Sequence, residues 1–153
     1  MLGQIELNQS TPTISVLWKV ARALNVPFSA LITEPNETRV QVLAATSAKI
    51  LTSHDGAFKS RALFPFDAPR RVEFYELRLA AGAVERADAH PPGTMENLVV
   101  THGDVEIRVG DERHQLGLGD AIQFPADVPH EYGNSGRDEA VMYLVMTYAD
   151  EVG

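Results

Sequence analysis

Two histidines and two carboxylates stand at spacings that would let them share one metal ion. Asp88 and His90 are two residues apart, so in an extended strand both side chains face the same side. Glu96 follows a turn at residues 91–93, which allows a returning strand to bring it beside them, and His130 follows a second proline-bounded turn. Imidazole nitrogens and carboxylate oxygens suit divalent metals. The pattern therefore predicts a site for zinc, or for iron, manganese or nickel, with His90, Glu96, His130 and Asp88 as ligands.

The predicted site contains no sulfur, because the chain has no cysteine. Two imidazoles with one or two carboxylates leave a coordination position open for water or a ligand. The simpler alternative is a metal-free pocket, in which His90 only forms a hydrogen bond in its turn and Asp88 is solvated. We expect the other three histidines to be structural or solvated, with His54 and His102 in turns and His114 on an exposed strand.

Short strands must position these side chains, and the chain after residue 38 has their pattern. Gly, Pro, Asp and Asn interrupt it at close intervals, as at Asp55-Gly56 and Gly110-Asp111. Many strands at such spacing favour an antiparallel sandwich or barrel. The predicted strands are Val40–Thr46, Ala57–Phe64, Val72–Leu79, Asn97–Thr101, Val105–Val109, Ala121–Phe124 and Ala140–Thr147.

Four aromatic residues are candidates for the lining of a ligand pocket, although aromatic residues in strands usually belong to the core. They are Tyr75, Phe124, Tyr132 and Tyr143. A basic pair, Arg70 and Arg71, precedes a strand, and we expect it to be solvated.

Two runs of residues around the proposed ligands form a further pattern. The first contains Gly82, Asp88, His90, Glu96 and Gly103, and the second contains Gly119, Pro125, Asp127, His130 and Asn134. In this order they resemble the first and second motifs of the cupin family, over residues 70–148. Asp88 stands where that family has its first histidine, and Asp127 stands where glycine is common. The resemblance implies a mainly β fold, a cupin-type double-stranded β-helix or jelly-roll barrel.

The chain before residue 35 has a helical pattern instead. Thr13 is a good N-cap, Asn25 suits a left-handed C-cap, and Pro27 blocks continuation. Between them an apolar stripe follows the helical period at Ile14, Leu17, Val20 or Ala21, and Leu24.

Residues 2–26 resemble the C-terminal half of the phage-repressor-like (XRE) helix-turn-helix domain, at Ile5-Glu6, Thr11-Pro12 and Ala21–Val26. In that family two further helices and the base-reading start of the recognition helix precede this region. The resemblance implies a short α-helical remnant of a helix-turn-helix domain in residues 1–34, a linker in 35–39 and a cupin barrel in 40–153. We expect Met1 to be an internal methionine of a longer reading frame, and DNA to be contacted only through the preceding helices. The DNA-binding residues are unknown.

A helical remnant of this length falls below the roughly 40 residues that an independent fold needs. It would expose Leu2, Ile5, Leu17 and Trp18, which the missing helices should cover. The alternative is that residues 1–33 are a helical appendage packed on the β domain. We expect no sequence-specific DNA binding by this chain as it stands.

The composition is that of an acidic globular protein. The 153 residues include 13 Lys and Arg against 21 Asp and Glu, a formal net charge of -8. Since phosphate neutralisation needs clustered cations, nucleic-acid binding through the bulk surface is excluded. No apolar run approaches the roughly 20 residues that span a bilayer, and no signal peptide is visible. With no cysteine either, we expect a cytoplasmic protein without a membrane partner.

The two resemblances together imply a bacterial transcriptional regulator of the helix-turn-helix plus cupin class. We expect its barrel to bind a small effector through a metal, such as an amino acid or another carboxylate, and a homodimer to present the DNA-binding heads. The rival is a small metal-dependent cupin enzyme, an oxygenase, isomerase or decarboxylase. A third alternative is a metal-free binding or scaffold protein. The helical fragment favours the regulator over the enzyme, and we assign no catalytic residue.

Overall fold

The computed structural model describes residues 13–24, 26, 28–31, 42–64 and 72–149. The predictions for residues 1–12, for Asn25 and Pro27, for the linker at 35–39 and for the pair Arg70 and Arg71 lie outside these ranges. No helix in the described ranges combines the length and the apolar character that crossing a bilayer requires.

The helix predicted after Thr13 is confirmed as α1, Ile14–Leu24. The Leu17 N–H donates to the Thr13 carbonyl at 3.0 Å, which closes the first turn. A short 3-10 helix, Phe28–Leu31, follows it. The buried residues of α1 lie on the predicted stripe and are Ile14, Leu17 and Ala21.

The described residues after the helices form ten strands in two antiparallel sheets. One sheet has the order β1-β2-β3-β10-β5-β8, and the other has the order β4-β9-β6-β7. The mainly β fold predicted from the sequence is thereby confirmed. The strands are β1 Ile50–Thr52, β2 Phe58–Ala62, β3 Val72–Leu79, β4 Val84–Ala87, β5 Met95–His102, β6 Val105–Val109, β7 Glu112–Leu116, β8 Ala121–Pro125, β9 His130–Gly133 and β10 Ala140–Thr147.

The core lies between the two sheets, because alternate residues of each strand face inward. On β10 the buried set is Ala140, Met142, Leu144 and Met146. Strand β10 pairs with β3 on one side and with β5 on the other, and Met146 is in register with Glu73 and with Glu96. Two buried glutamates therefore lie in one row of the sheet, on either side of Met146.

Most predicted strands agree with the structure, but one is wrong. In the predicted strand Val40–Thr46, residues 42–46 form coil and a turn, while residues 40–41 lie outside the described ranges. Val42 is 90% exposed and Leu43 is 47% exposed, so neither has a core to pack on. The first paired strand is instead β1, whose Leu51 is buried.

The sequence pattern does not predict β1, β4 or β9, and it indicates β7 only through His114. Strands β1, β4 and β9 have three or four residues each, too few alternations for a period to be read. Strand β7 has five residues but four of them are exposed and polar, so it lacks an apolar alternation.

The apolar stripe of α1 is covered at its three buried residues, while Leu24 at its end is exposed. Leu17 is 7% exposed, and Trp18 is partly buried against the common core. The expectation that both residues lack cover is therefore wrong, because the 3-10 helix and the barrel cover them. The described helical residues pack on the β domain. Leu2 and Ile5 lie outside the described ranges.

Candidate metal centre and its cavity

His90, Glu96 and His130 converge on one buried point. The Nε2 atom of His90 lies 3.1 Å from Oε1 of Glu96, and Nε2 of His130 lies 3.5 Å from the same oxygen. One ligand atom from each residue lies within 4.8 Å of the other two. Among the described residues, His90, Glu96 and His130 thus form a group of side chains close enough to hold one metal ion.

A proline-rich loop brings His90 beside Glu96. The His90 N–H donates to the Ala126 carbonyl at 2.9 Å, while Glu96 lies on β5. Between them Gly93 has a φ of 77°, in the left-handed region, and a Cβ there would lie 2.5 Å from Cβ of Ala149. The turn at residues 91–93 therefore needs glycine in order to return the chain to β5.

The loops of the two sequence motifs are tied to each other. The Asp127 carboxylate accepts a hydrogen bond from the Gly93 N–H at 3.0 Å. The Ala126 N–H donates to the Thr94 carbonyl at 2.9 Å. Asp127, which stands where the cupin motif commonly has glycine, therefore joins the two loops that carry the histidines.

Glu96 is a buried carboxylate with polar neighbours at both oxygens. The Tyr132 hydroxyl donates to Oε2, and Oε1 faces the two imidazoles. Burial would raise the pKa of Glu96, but the neighbouring imidazoles of His130 and His90 outweigh it and lower that pKa to about 2. Glu96 is therefore an anion at neutral pH. Burial and the Glu96 charge raise the pKa of Tyr132 well above its ordinary value, so its hydroxyl keeps the proton that it donates.

The backbone orients the ring of His130 for ligation. Its Nδ1 donates to the Val128 carbonyl at 2.9 Å, so the neutral ring carries its lone pair on Nε2. That Nε2 atom is buried and has no hydrogen-bond partner among the described residues. Burial would lower the pKa of His130, but the Glu96 carboxylate, 3.5 Å from Nε2, outweighs it and raises that pKa. A buried lone pair thus lies beside a buried anion.

This donor set fits a divalent metal. Ligand atoms around a four-coordinate ion, each about 2.0–2.2 Å from it, lie roughly 3.3 Å from one another. The two imidazole nitrogens are 3.1 Å and 3.5 Å from the shared Glu96 oxygen. Nitrogen and oxygen donors of this kind suit zinc, iron, manganese or nickel. A metal here would also satisfy the unpartnered Nε2 of His130.

Asp88, the fourth predicted ligand, lies outside this group. Residues 88–90 form coil after β4, so the argument that strand alternation aligns Asp88 with His90 is wrong. Asp88 is exposed and lines a cavity, whereas His90 is buried, because the hydrogen bond of its N–H to the Ala126 carbonyl draws it inward.

The other three histidines lie away from the centre. His54 lies in a turn, and His102 is the exposed last residue of β5 rather than part of a turn. His114 lies exposed on β7, with its Nε2 3.3 Å from a carboxylate oxygen of Glu112.

A cavity of about 230 Å³ opens beside His90 and Glu96. Its walls come from the barrel and from α1. Drug-sized ligands occupy sites of about 300–1,000 Å³, so this cavity suits a smaller molecule. Of the aromatic residues predicted to line a pocket, Tyr75 and Tyr132 line it. Phe124 does not, since it is buried against His130 with 5.3 Å between the ring centroids.

Tyr143 does not line this cavity either. Side chains alternate along β10, and the buried positions on either side of it belong to Met142 and Leu144. Tyr143 therefore projects from the opposite face, where its hydroxyl donates to Glu76 at 3.2 Å.

The sequence pattern does not indicate that α1 contributes to the cavity. Trp18, Lys19 and Arg22 line it, and the ring of Trp18 lies 4.3 Å from the ring of His90. The available signal was the single tryptophan of the chain, placed beside the apolar stripe of the helix. That signal indicates a packed position but not its partner, because the contact joins segments far apart in sequence.

The chain is similar to known proteins both in sequence and in structure. Residues 75–146 match the family model described as the cupin domain. The HTH-type transcriptional regulator SutR of Escherichia coli (strain K12) is 36% identical over 149 residues, which cover 97% of this chain and 79% of that protein.

Two solved structures extend the similarity. An HTH_3 family transcriptional regulator from Vibrio cholerae has 30% identity and a TM-score of 0.77, covering 98% of this chain and 80% of that chain. The cupin domain of an XRE family transcriptional regulator from Enterobacter cloacae has 28% identity and a TM-score of 0.59, covering 61% of this chain and 99% of that chain. The predicted jelly-roll barrel of the cupin type is confirmed.

Proposed function

We propose that this chain is the effector-sensing portion of a transcriptional regulator. The premise is that the chain belongs to the family of XRE-type helix-turn-helix transcriptional regulators with a cupin domain. In this proposal His90, Glu96 and His130 hold a divalent metal, and a small ligand binds in the adjoining cavity. The metal, when bound, supplies a Lewis-acid position for oxygen or nitrogen atoms of the ligand. DNA contacts are assigned to the helix-turn-helix part of the family and not to this acidic barrel.

The observation that carries the proposal is the Nε2 atom of His130. It is buried without a hydrogen-bond partner among the described residues, 3.5 Å from the anionic Glu96. Leaving such a polar atom buried and unpartnered costs about 1–3 kcal/mol. A metal shared by His90, Glu96 and His130 would give this atom a partner and remove that cost. The arrangement therefore supports a metal at the site.

The cavity lining carries both signs of charge. Lys19 and Arg22 line it, and neither forms an ion pair with another described residue. The carboxylates of Glu85, Asp88 and Glu96 line it as well. A small amino acid, which carries both charges, fits the volume and this lining, whereas another carboxylate would be held by the metal and the two cations.

Regulation then requires that the ligand favour one arrangement of the protein over another. A ligand with equal affinity for both arrangements would shift nothing. We include a homodimer in the proposal, with ligand binding altering how the two subunits present their DNA-binding ends.

The test is metal binding followed by ligand binding. The chain is stripped with a chelator, reloaded with zinc, iron(II), manganese or nickel, and measured by elemental analysis. We expect one equivalent of metal in the wild type, loss of it in His130→Ala, and retention of it in His114→Ala, the exposed control. Calorimetry with small amino acids and carboxylates is then expected to show binding that depends on the metal.

Other outcomes would overturn the proposal. Equal metal content in the two histidine variants would contradict the assigned ligands. Ligand binding that survives the chelator unchanged would favour a metal-free binding protein. Turnover of a bound carboxylate by the metal-loaded chain would favour the cupin enzyme.

A further inference from the structure

The helix α1 reaches the candidate metal centre through one side chain. The ring of Trp18 lies against the ring of His90, with 4.3 Å between centroids and 31° between planes. On its own side Trp18 stacks on Phe28, at 4.3 Å and 16°. Phe28 in turn lies 6.2 Å from Tyr75 of β3. A run of aromatic rings therefore connects the helix, the 3-10 helix, the cavity and a candidate ligand.

We propose that Trp18 is a positioning residue of the metal centre, and that occupancy of the centre is transmitted through it to α1. This inference rests on the proposed metal site. The lone pair of Nε2 lies in the plane of the imidazole, so the ring angle of His90 sets the direction in which that residue could offer it to a metal. Rotation of that ring would break its contact with Trp18, and the helix thereby restricts the angle.

The helix is held to the same core as the barrel, so Trp18 cannot shift alone. Ile14, Leu17 and Ala21 of α1 are buried in the cluster that also contains the inward residues of the strands. Ile14 and Trp18 line the cavity as well. A metal or ligand that displaces the ring of His90 would therefore displace α1 as a whole through Trp18.

Coupling of this kind is reciprocal. If α1 helps to orient His90 for the metal, the metal must stabilise the packed position of α1 by the same factor. Outer groups that hold metal-bound histidines typically alter metal affinity by about 10–100-fold. Since Trp18 contacts the ring without a hydrogen bond, we expect an effect at the lower end of that range or slightly below it.

The experiment uses zinc alone as the probe, with the intact chain. Zinc affinity is measured by competition with a chromophoric chelator, for the wild type, Trp18→Leu, Trp18→Phe and Leu24→Ala. Leu24 is the control, because it lies on the same helix and is 61% exposed. Amide hydrogen exchange of α1 is measured in the wild type with and without zinc, and this readout needs no variant.

We expect Trp18→Leu to weaken zinc binding at least fivefold, Trp18→Phe to restore it to within about twofold, and Leu24→Ala to leave it unchanged. Zinc should slow exchange of the α1 amides in the wild type. Fluorescence of Trp18, the single tryptophan, should change on zinc addition.

The failures are distinguishable. If the wild type binds zinc at His130 but Trp18→Leu binds it equally well and α1 exchange does not change, the coupling is wrong and the metal site stands. If the wild type binds no zinc or other divalent metal, the proposed site and the coupling are both wrong. Should Trp18→Leu fail to fold, the exchange of the α1 amides in the wild type with and without zinc decides the question.

Discussion

Glu73 and Glu96 occupy the same row of the six-stranded sheet, on either side of Met146, and each is 1% exposed. Both accept hydrogen bonds from tyrosine. The Tyr75 and Tyr148 hydroxyls each donate to Oε2 of Glu73 at 2.8 Å. Glu96 accepts one such bond at Oε2, and its Oε1 faces two imidazoles instead.

The difference between these two carboxylates lies in the acid–base chemistry of their neighbours. Burial and the charge of Glu73 raise the pKa values of Tyr75 and Tyr148, so both phenols keep their protons and act as donors. An imidazole can release its proton near neutral pH and then offers a lone pair. Equal burial and identical residue type therefore produce a structural anchor at Glu73 and a candidate metal ligand at Glu96.

The largest effect expected is on metal affinity. Glu96→Gln removes the anion that two imidazoles face, so zinc affinity should fall at least 100-fold, about 2.7 kcal/mol. Glu73→Gln is the matched control, with the same substitution in the same row of the sheet, and should change zinc affinity less than threefold. The measurement is chelator competition at neutral pH. Equal losses in the two variants would remove the distinction between the two carboxylates.

The next effect is on stability at the other carboxylate. Glu73→Leu removes the acceptor of two tyrosine hydroxyls in the barrel, which should lower the free energy of unfolding by about 2 kcal/mol. Tyr148→Phe, which removes one donor and leaves the carboxylate, should cost less. Urea denaturation without metal provides both values. A Glu73→Leu protein as stable as the wild type would show that this cluster anchors nothing.

The smallest effect is the pH dependence of zinc binding. A proton and the metal compete for Nε2 of His130, whose pKa is raised above its ordinary value of 6.5 by Glu96. Zinc affinity should therefore be full above that pKa and should fall by at least about tenfold per pH unit below it, since at least the proton of His130 must be displaced. Glu73→Gln should follow the same profile. A flat profile between pH 8 and 5 would contradict ligation by His130.

The sequence predicted the long strands well and the short ones poorly. Val72–Leu79, Val105–Val109 and Ala140–Thr147 have the observed bounds, because alternation over five to eight residues between turn residues is a local property. The wrong prediction at residues 42–46 arises because strand pairing is not a local property. That segment is apolar enough for a strand, but its described residues form coil and a turn and pair with no strand.

Among the site residues, spacing and motif predict His90, Glu96 and His130, and the structure brings these three side chains together. The prediction of Asp88 requires a strand that continues through His90. The chain leaves β4 before that point, at Ala87. Tyr143 was chosen by residue type alone, and the strand alternation places it on the outer face.

The sequence by itself determined most of the longer strands, the net negative charge and the residue types able to hold a metal. These follow from local periodicity, from composition and from side-chain chemistry. Only the tertiary structure decided which of two buried glutamates faces imidazoles, and that Trp18 of the helix lies on His90 of the barrel. Both are contacts between distant segments, and their geometry depends on how the sheets and the helix pack together.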